Sequence, residues 1–129
     1  MIEIELDNRS GVPVDDAAAV ALARRVLETE RVESAELGLA FVTPAEIQAL
    51  KREHLGIDET TDVLSFPIDG RDALPDGVPR QLGDVVICPQ VVGDAWHAPL
   101  VHGLLHLLGY GHGAEMELRE AVHIGGGRA

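Results

Sequence analysis

The chain has 129 residues, of which 46% are hydrophobic and 25% charged, a composition typical of one globular domain and not of a disordered chain. Its formal net charge of −12 opposes long-range attraction to nucleic acid, so any such binding needs a local cation or a partner protein. The single cysteine excludes an intramolecular disulfide. The N-terminal residues lack the basic start and apolar run of a signal peptide, and we expect a soluble, cytoplasmic protein without a membrane span.

Hydrophobic periodicity and turn residues predict an alternation of strands and helices. Residues 2–6 alternate apolar and acidic side chains, the pattern of a strand with one buried face. Thr43 followed by Pro44 is typical of a helix N-terminus. The predicted elements in chain order are a strand over 2–6, a helix from 15 or 16 to about 30, a strand over 35–42, a helix from 44 to about 54, short strands over 62–66 and 82–88, a helix over 92–108 and a last helix over 114–122.

The two consecutive strands after the second helix decide the fold class. Residues 69–80, rich in Asp, Gly and Pro, join these strands as an exposed loop, so no helix crosses between them. This order argues against a purely parallel sheet and predicts an α+β fold, with a mixed sheet and helices packed on it. We expect one domain over residues 1–124, followed by a flexible tail over 125–129.

Three of the six histidines fall within the segment HGLLHLLGYGH at residues 102–112. His102 and His106 lie one helical turn apart, on one face, and can reach a single metal ion at about 2.0–2.1 Å. Gly109 can end the helix in a left-handed conformation, so that the following turn returns His112 to the same ion. Three neutral imidazoles leave a fourth position for water, which is the arrangement of a catalytic zinc site.

Two other interpretations of this segment remain open. A closed structural zinc site needs a fourth ligand, for which Cys88 is the only thiol, although a buried cysteine more often packs as a small apolar side chain. The spacing is also that of metzincin peptidases, in which a glutamate follows the first histidine and acts as the general base. Gly103 stands at that place in this chain, which disfavours a peptidase.

The histidine segment, read with TDVLSFP at 61–67 and LGDVVICP at 82–89, resembles the YbeY family of bacterial metal-dependent endoribonucleases. The resemblance runs in the same order over most of the chain. It implies a small α+β domain with a zincin-like metal site on a helix and the following turn, and one Zn²⁺ per chain bound by His102, His106 and His112. It also implies single-strand-specific cleavage of ribosomal RNA, in small-subunit 3′ end maturation and ribosome quality control, with recruitment through ribosomal or processing proteins.

The sequence departs from the family pattern at three places. Gly111 stands where the family usually has an aspartate, which removes a possible carboxylate partner for a ligand imidazole. Leu55 stands where the family tends to carry an arginine. The segment between Pro89 and His102 is shorter than in the family, so we expect the helix before His102 to be shortened at its N-terminal end.

The motifs name neither the general base nor the nucleophile. Asp62, Ser65 and Asp84 are candidates for shaping the cleft or orienting a ligand imidazole, with turn capping as the alternative for the aspartates and a buried hydroxyl as the alternative for the serine. The few cations near the motifs, Lys51, Arg52, Arg71 and Arg80, are candidate RNA contacts or solvated surface charges. We expect the remaining histidines to be surface residues: His54, His97 and His123.

Three classes of function follow from these observations. The resemblance favours a zinc-dependent endoribonuclease. The histidine spacing alone favours a zinc metallopeptidase-like hydrolase, against which Gly103 counts. Leu55 and Gly111 allow a third class, a catalytically weak, metal-stabilised module associated with the ribosome. The sequence carries no information on the oligomeric state.

Overall fold

Strands and helices alternate through residues 1–124, the part of the chain that the computed structural model describes; the tail predicted over 125–129 lies outside it. The elements in order are β1 (Ile2–Asn8), α1 (Asp16–Thr29), β2 (Ala35–Phe41), α2 (Pro44–Leu55), β3 (Val63–Pro67), β4 (Gln81–Ile87), α3 (Pro89–Val92), α4 (His97–Leu107) and α5 (Ala114–Ile124). The predicted strands are therefore all present, with ends that differ by a residue or two.

The four strands form one mixed sheet in the order β1-β2-β4-β3. β1 pairs with β2 and β2 with β4 in parallel, whereas β3 runs antiparallel to β4 at the edge of the sheet. The connection from β3 to β4 contains no helix, which is why these neighbours are antiparallel. The α+β class and the mixed sheet predicted from the strand order are confirmed.

Short side chains cap the first two helices at the places that the sequence indicates. The Asp15 carboxylate accepts a hydrogen bond from the Ala18 amide at 3.0 Å, and the Thr43 hydroxyl accepts one from the Glu46 amide at 3.1 Å. Each bond satisfies an amide that has no partner within its helix. Gly56 ends α2 with a φ of +71°. Local hydrogen bonds thus fix the N-terminal ends of both helices, and Gly56 fixes the C-terminal end of α2.

The sheet carries helices on both faces, and each face has its own apolar core. On one face α4 packs against β3 and β4, and α1 packs against β1 and α4. This larger core includes Leu27, Phe41 and Leu104, all fully buried or nearly so. On the other face α2 covers a smaller core around Ile47, Val86 and Cys88. The histidine segment belongs to the first face because α4 carries it.

The single helix predicted over 92–108 is wrong, since the structure divides this region into α3 and α4. Gly93 ends α3 with a φ of +59°, a conformation that side chains other than glycine rarely adopt. Trp96 then anchors the start of α4 because its ring is buried and meets Phe41 edge-on, with 6.3 Å between the ring centroids. The helix that carries His102 therefore begins at His97.

Close approach between α4 and the sheet depends on Gly103. A Cβ at this position would lie 2.7 Å from Val85 Cγ1 and 3.1 Å from Ser65 Oγ. The Ser65 hydroxyl donates a hydrogen bond to the Gly103 carbonyl at 3.1 Å, which ties the helix to β3 at the same point. The absence of a side chain thus sets how deeply the histidine helix sits on the sheet.

We predict that Gly103→Ala destabilises the protein although alanine is the better helix former. Alanine gains about 1 kcal/mol of helix propensity, whereas overpacking in a tight core costs about 1–3 kcal/mol. Urea unfolding followed by circular dichroism measures the difference. Gly111→Ala is the control, because nothing lies within 4 Å of a Cβ built there. A Gly103→Ala protein at least as stable as the wild type would contradict the tight packing.

Candidate metal centre

The side chains of His102, His106 and His112 converge at the C-terminal end of α4. One ring nitrogen from each lies within 4.8 Å of the other two, and the Nε2 atoms of His102 and His106 are 3.0 Å apart. Two nitrogens bound to one tetrahedral ion at about 2.0–2.1 Å are themselves roughly 3.3 Å apart, so the observed spacing fits a shared metal. The three imidazoles predicted from their spacing are therefore brought together.

A glycine turn returns His112 to the helix. The Gly109 amide donates to the His106 carbonyl at 3.0 Å and the Tyr110 amide to the Leu105 carbonyl at 3.1 Å, which closes the last turn of α4. Gly109 has a φ of +96°, in the region that favours glycine. The His112 side chain is exposed, whereas those of His102 and His106 are half-buried. The site is consequently open to solvent on the His112 side.

The ring of His106 is oriented by a backbone carbonyl. Its Nδ1 lies 2.9 Å from the Tyr110 carbonyl oxygen, which can only accept, so Nδ1 carries the proton and Nε2 presents a lone pair to the site. Burial lowers the pKa of His106, the neighbouring His102 and His112 lower it further, and the Tyr110 carbonyl opposes them. The lowered pKa favours the neutral imidazole, the form that binds metal.

Glu120 from α5 is a member of the site that the sequence reasoning missed. Its Oε2 lies 3.5 Å from Nδ1 of His102, on the side of the ring away from the Nε2 that faces His106. A carboxylate on this side of a ligand imidazole commonly accepts a hydrogen bond from its Nδ1, and the 3.5 Å separation here is longer than such a bond. The spacing of residues in α5 could have indicated Glu120. It lies at i+4 from Met116 on the inward-facing side of the helix, which also carries Arg119 and His123. Glu120 thus supplies a carboxylate that Gly111 cannot.

A second carboxylate, Glu30 at the end of α1, is buried behind the turn. Tyr110 donates its hydroxyl to Glu30 Oε1 at 2.8 Å, and Arg119 donates to Oε2 at 2.5 and 2.9 Å. The Nε2 of His123 lies 2.6 Å from the same Oε2. Glu30 therefore joins α1, the turn and α5. The prediction that His123 is a surface residue is wrong, because its ring is buried and contacts the buried Glu30 carboxylate.

The other predicted site residues have local structural contacts. The Asp62 carboxylate accepts from its neighbour's amide, that of Val63, at 2.8 Å where β3 begins, and Ser65 bonds to α4 as described above. Asp84 lies on the opposite face of the sheet, over Gly38 and in a groove beside α2. Cys88 is a free, fully buried thiol in the smaller core and is not part of the histidine group. The structure therefore places Asp84 and Cys88 apart from the three imidazoles.

Most of the cations considered from the sequence already have partners. Lys51 pairs with Glu59 at 2.7 Å and Arg52 with Asp58 at 3.6 Å. Arg80 donates to two backbone carbonyls in its own loop, at 2.7 and 2.8 Å. Arg71 lies beside the histidine turn and touches Glu30. Of these cations, Arg71 is the one that lines the same groove as His112.

The described residues define a class of protein before any comparison: a small α+β protein in which three histidine nitrogens, on a helix and the turn that follows it, could hold one metal ion. In residues 1–124, none of the helices has the length and apolar character that crossing a bilayer requires. Histidine nitrogens suit zinc, copper, iron and nickel, so a borderline transition-metal ion fits this donor set.

The sequence model of the family described as Endoribonuclease YbeY matches residues 4–123. The chain is 42% identical over 136 residues to Endoribonuclease YbeY from Beutenbergia cavernae, covering 93% of this chain and 90% of that protein. It is 41% identical over 136 residues to the protein of the same name from Acidothermus cellulolyticus, covering 91% and 83%. The chain belongs to the YbeY family, which confirms the resemblance drawn from its motifs.

A solved structure supports the fold independently. The solution structure of TM1509 from Thermotoga maritima superposes with a TM-score of 0.58 and 24% sequence identity, covering 99% of this chain and 92% of that one. The two chains share their fold over almost their full lengths.

We predict that Glu30 makes the stability of this protein sensitive to acid. Burial raises the pKa of the carboxyl group, but the hydrogen bonds from Arg119, Tyr110 and His123 outweigh it, and the net pKa lies below the usual 4.5. The stabilisation is therefore complete above about pH 4.5 and is lost as the pH falls through the lowered value. Glu30→Gln should cost roughly 3 kcal/mol at pH 7 and flatten this acid dependence.

Urea unfolding at several pH values between 3 and 7 tests this. Glu28→Gln, an exposed position two residues away on α1, removes the same charge without the buried contacts. An equal acid dependence for Glu30→Gln and the wild type would show that another group is responsible.

Proposed function

We propose that this chain is a zinc-dependent endoribonuclease that cleaves single-stranded RNA in ribosomal RNA processing, including small-subunit 3′ end maturation and ribosome quality control. The observation that carries the proposal is the convergence of three imidazole nitrogens in a member of a family whose relatives bear the name Endoribonuclease YbeY. His102, His106 and His112 hold one Zn²⁺ per chain. The enzyme works in the cytoplasm.

The three histidines would bind the ion and would leave one side of it accessible to a substrate. A bound zinc ion supplies a Lewis acid that polarises a phosphate oxygen and lowers the pKa of water. His106 presents its Nε2 lone pair because the Tyr110 carbonyl accepts its Nδ1 proton, and the Glu120 carboxylate lies 3.5 Å from Nδ1 of His102. The exposed ring of His112 leaves one side of the site open to a polymer. These features fit turnover on a large substrate.

The packing of Gly103 argues against a metallopeptidase. A Cβ at position 103 would lie 2.7 Å from Val85 Cγ1, so the longer side chain that a peptidase carries after its first histidine would displace α4 from the sheet. The histidine group among residues 1–124 contains three ligands and no cysteine, which argues against a closed structural zinc site. An open, three-ligand site favours an enzyme over a metal-stabilised module.

Recruitment by a partner fits the charge of the chain. With a net charge of −12 and with Lys51, Arg52 and Arg80 already bonded within the protein, non-specific attraction to RNA is weak. Ribosomal or processing proteins therefore bring the enzyme to ribosomal RNA in this proposal.

Cleavage of a defined single-stranded RNA by the purified protein tests the activity. We expect cutting by the wild type and by His97→Ala, an exposed histidine at the other end of α4. Cleavage should be lost in His106→Ala and in the chelator-treated wild type. Added zinc should restore cleavage to the chelated wild type and not to His106→Ala. Equal cutting by all samples would indicate a contaminant, and cleavage of a peptide in place of RNA would favour the peptidase. Stoichiometric zinc without any cutting would favour the module.

We further predict that Glu120→Gln weakens zinc binding without unfolding the protein. Removing a carboxylate that orients a ligand histidine lowers metal affinity by about 10-fold to 100-fold, and the 3.5 Å separation places this pair near the lower figure. Competition with a chromophoric chelator measures the affinity. Glu117→Gln on the exposed side of α5 is the matched control. Identical affinities for the two variants would exclude Glu120 from the site.

A further inference from the structure

We infer that the groove beside the histidine turn is a subsite for one phosphate of the RNA backbone, with Arg71 as its cation. This inference rests on the proposed ribonuclease function. The groove has a volume of about 520 Å³ and is lined by Arg71 and the continuous segment 108–115, which contains His112. A phosphate bound there is next to the imidazole that forms the open side of the metal site.

Main chain forms much of the wall of this groove. Gly109, Gly111 and Gly113 all line it, and nothing lies within 4 Å of a Cβ built at any of them. Gly109 and Gly113 have φ values of +96° and +152°, so larger residues are disfavoured at both. A strand of RNA can therefore approach the main chain closely at these three glycines.

Arg71 is free to bind a ligand because its contacts with Glu30 leave most of its donors unused. Its Nη2 donates to the Glu30 carbonyl oxygen at 3.1 Å and lies 3.7 Å from Oε1 of the same residue. Arg119 already neutralises that carboxylate at 2.5 Å, and the Arg71 side chain is 46% exposed. In the described part of the chain, its Nε and Nη1 make no hydrogen bond. Nη2 carries a second N–H, which together with Nε or Nη1 can bind a phosphate bidentately.

The neighbouring arginine holds the loop that presents Arg71. Arg80 donates to the carbonyl oxygens of Gly70 and Asp72, the residues on either side of Arg71. The Arg71 side chain therefore extends from a backbone that these two hydrogen bonds hold in place. This reduces the conformational entropy lost when Arg71 binds a ligand. Arg80 supports the subsite and Arg71 contacts the ligand.

Glu115 lines the same groove and gives the inference a second, opposite test. It is exposed and lies in the first turn of α5. A carboxylate there repels a phosphate, so its neutralisation should strengthen RNA binding while loss of Arg71 weakens it. A role of either residue in folding alone does not predict this pair of opposite effects.

The experiment measures RNA cleavage kinetics, with binding of a fluorescent single-stranded RNA by the chelated protein in parallel. For Arg71→Ala we expect KM to rise about 5-fold to 10-fold with kcat within about twofold, and the slope of log affinity against log salt to fall by about 0.7, the value for one contact to a single strand. Arg71→Lys should retain the slope. Glu115→Gln should lower KM by about twofold to threefold.

Matched controls lie on α2, over the opposite face of the sheet. Arg52→Ala and Glu53→Gln make the same charge changes at exposed positions and should leave KM and the salt slope unchanged. Equal effects of Arg71→Ala and Arg52→Ala would overturn the subsite, as would a loss of zinc affinity in Arg71→Ala equal to its loss of RNA affinity. If the wild type neither binds nor cleaves RNA, the proposed function itself fails, which is a distinct result.

Discussion

The buried carboxylate of Glu30 is the interaction on which the candidate site depends. A charge removed from water is tolerated only when it is paired and hydrogen-bonded, so Arg119, Tyr110 and His123 must assemble around it. The consequences reach the metal centre by two routes. Tyr110 also presents the carbonyl that orients His106, and the helix held by Arg119 and His123 carries Glu120 to His102. One interaction outside the histidine segment thus supports the residue that orients His106 and places a carboxylate beside His102.

The second constraint is the depth at which α4 sits on the sheet. Gly103 allows the helix to contact Val85 on β4, and the adjacent hydroxyl of Ser65 on β3 bonds to it. His102 and His106 flank this contact, so the distance between helix and sheet also sets where their rings stand. Gly103 therefore has two effects. It allows the close packing of α4 on the sheet, and it leaves the site without the glutamate that serves as general base in metzincin peptidases.

Local chemistry explains which parts of the molecule the sequence could predict. Alternation in β1, the caps at Asp15 and Thr43, and the spacing of the three histidines all depend on neighbouring residues, and the structure has each of them. Contacts between distant segments were not predictable in this way. Glu30 meets Tyr110 eighty positions along the chain, and only the register of β4 shows that Asp84 faces away from the histidines. The break at Gly93 was missed because the apolar pattern continues across it.

The acidity of the chain is unevenly placed with respect to the candidate site. Glu5, Asp7 and Asp84 line a groove of about 950 Å³ on the face of the sheet opposite α4. Their field repels RNA from that face. On the histidine side, Arg71 and a cation held by the three imidazoles would offer positive charge at short range, opposed there by the carboxylates of Glu115 and Glu120. Screening at physiological ionic strength limits each effect to about 8 Å, so the far carboxylates do not cancel the local cations. A net charge of −12 is therefore compatible with RNA cleavage, because the distribution of charge around the three histidines decides what can approach them.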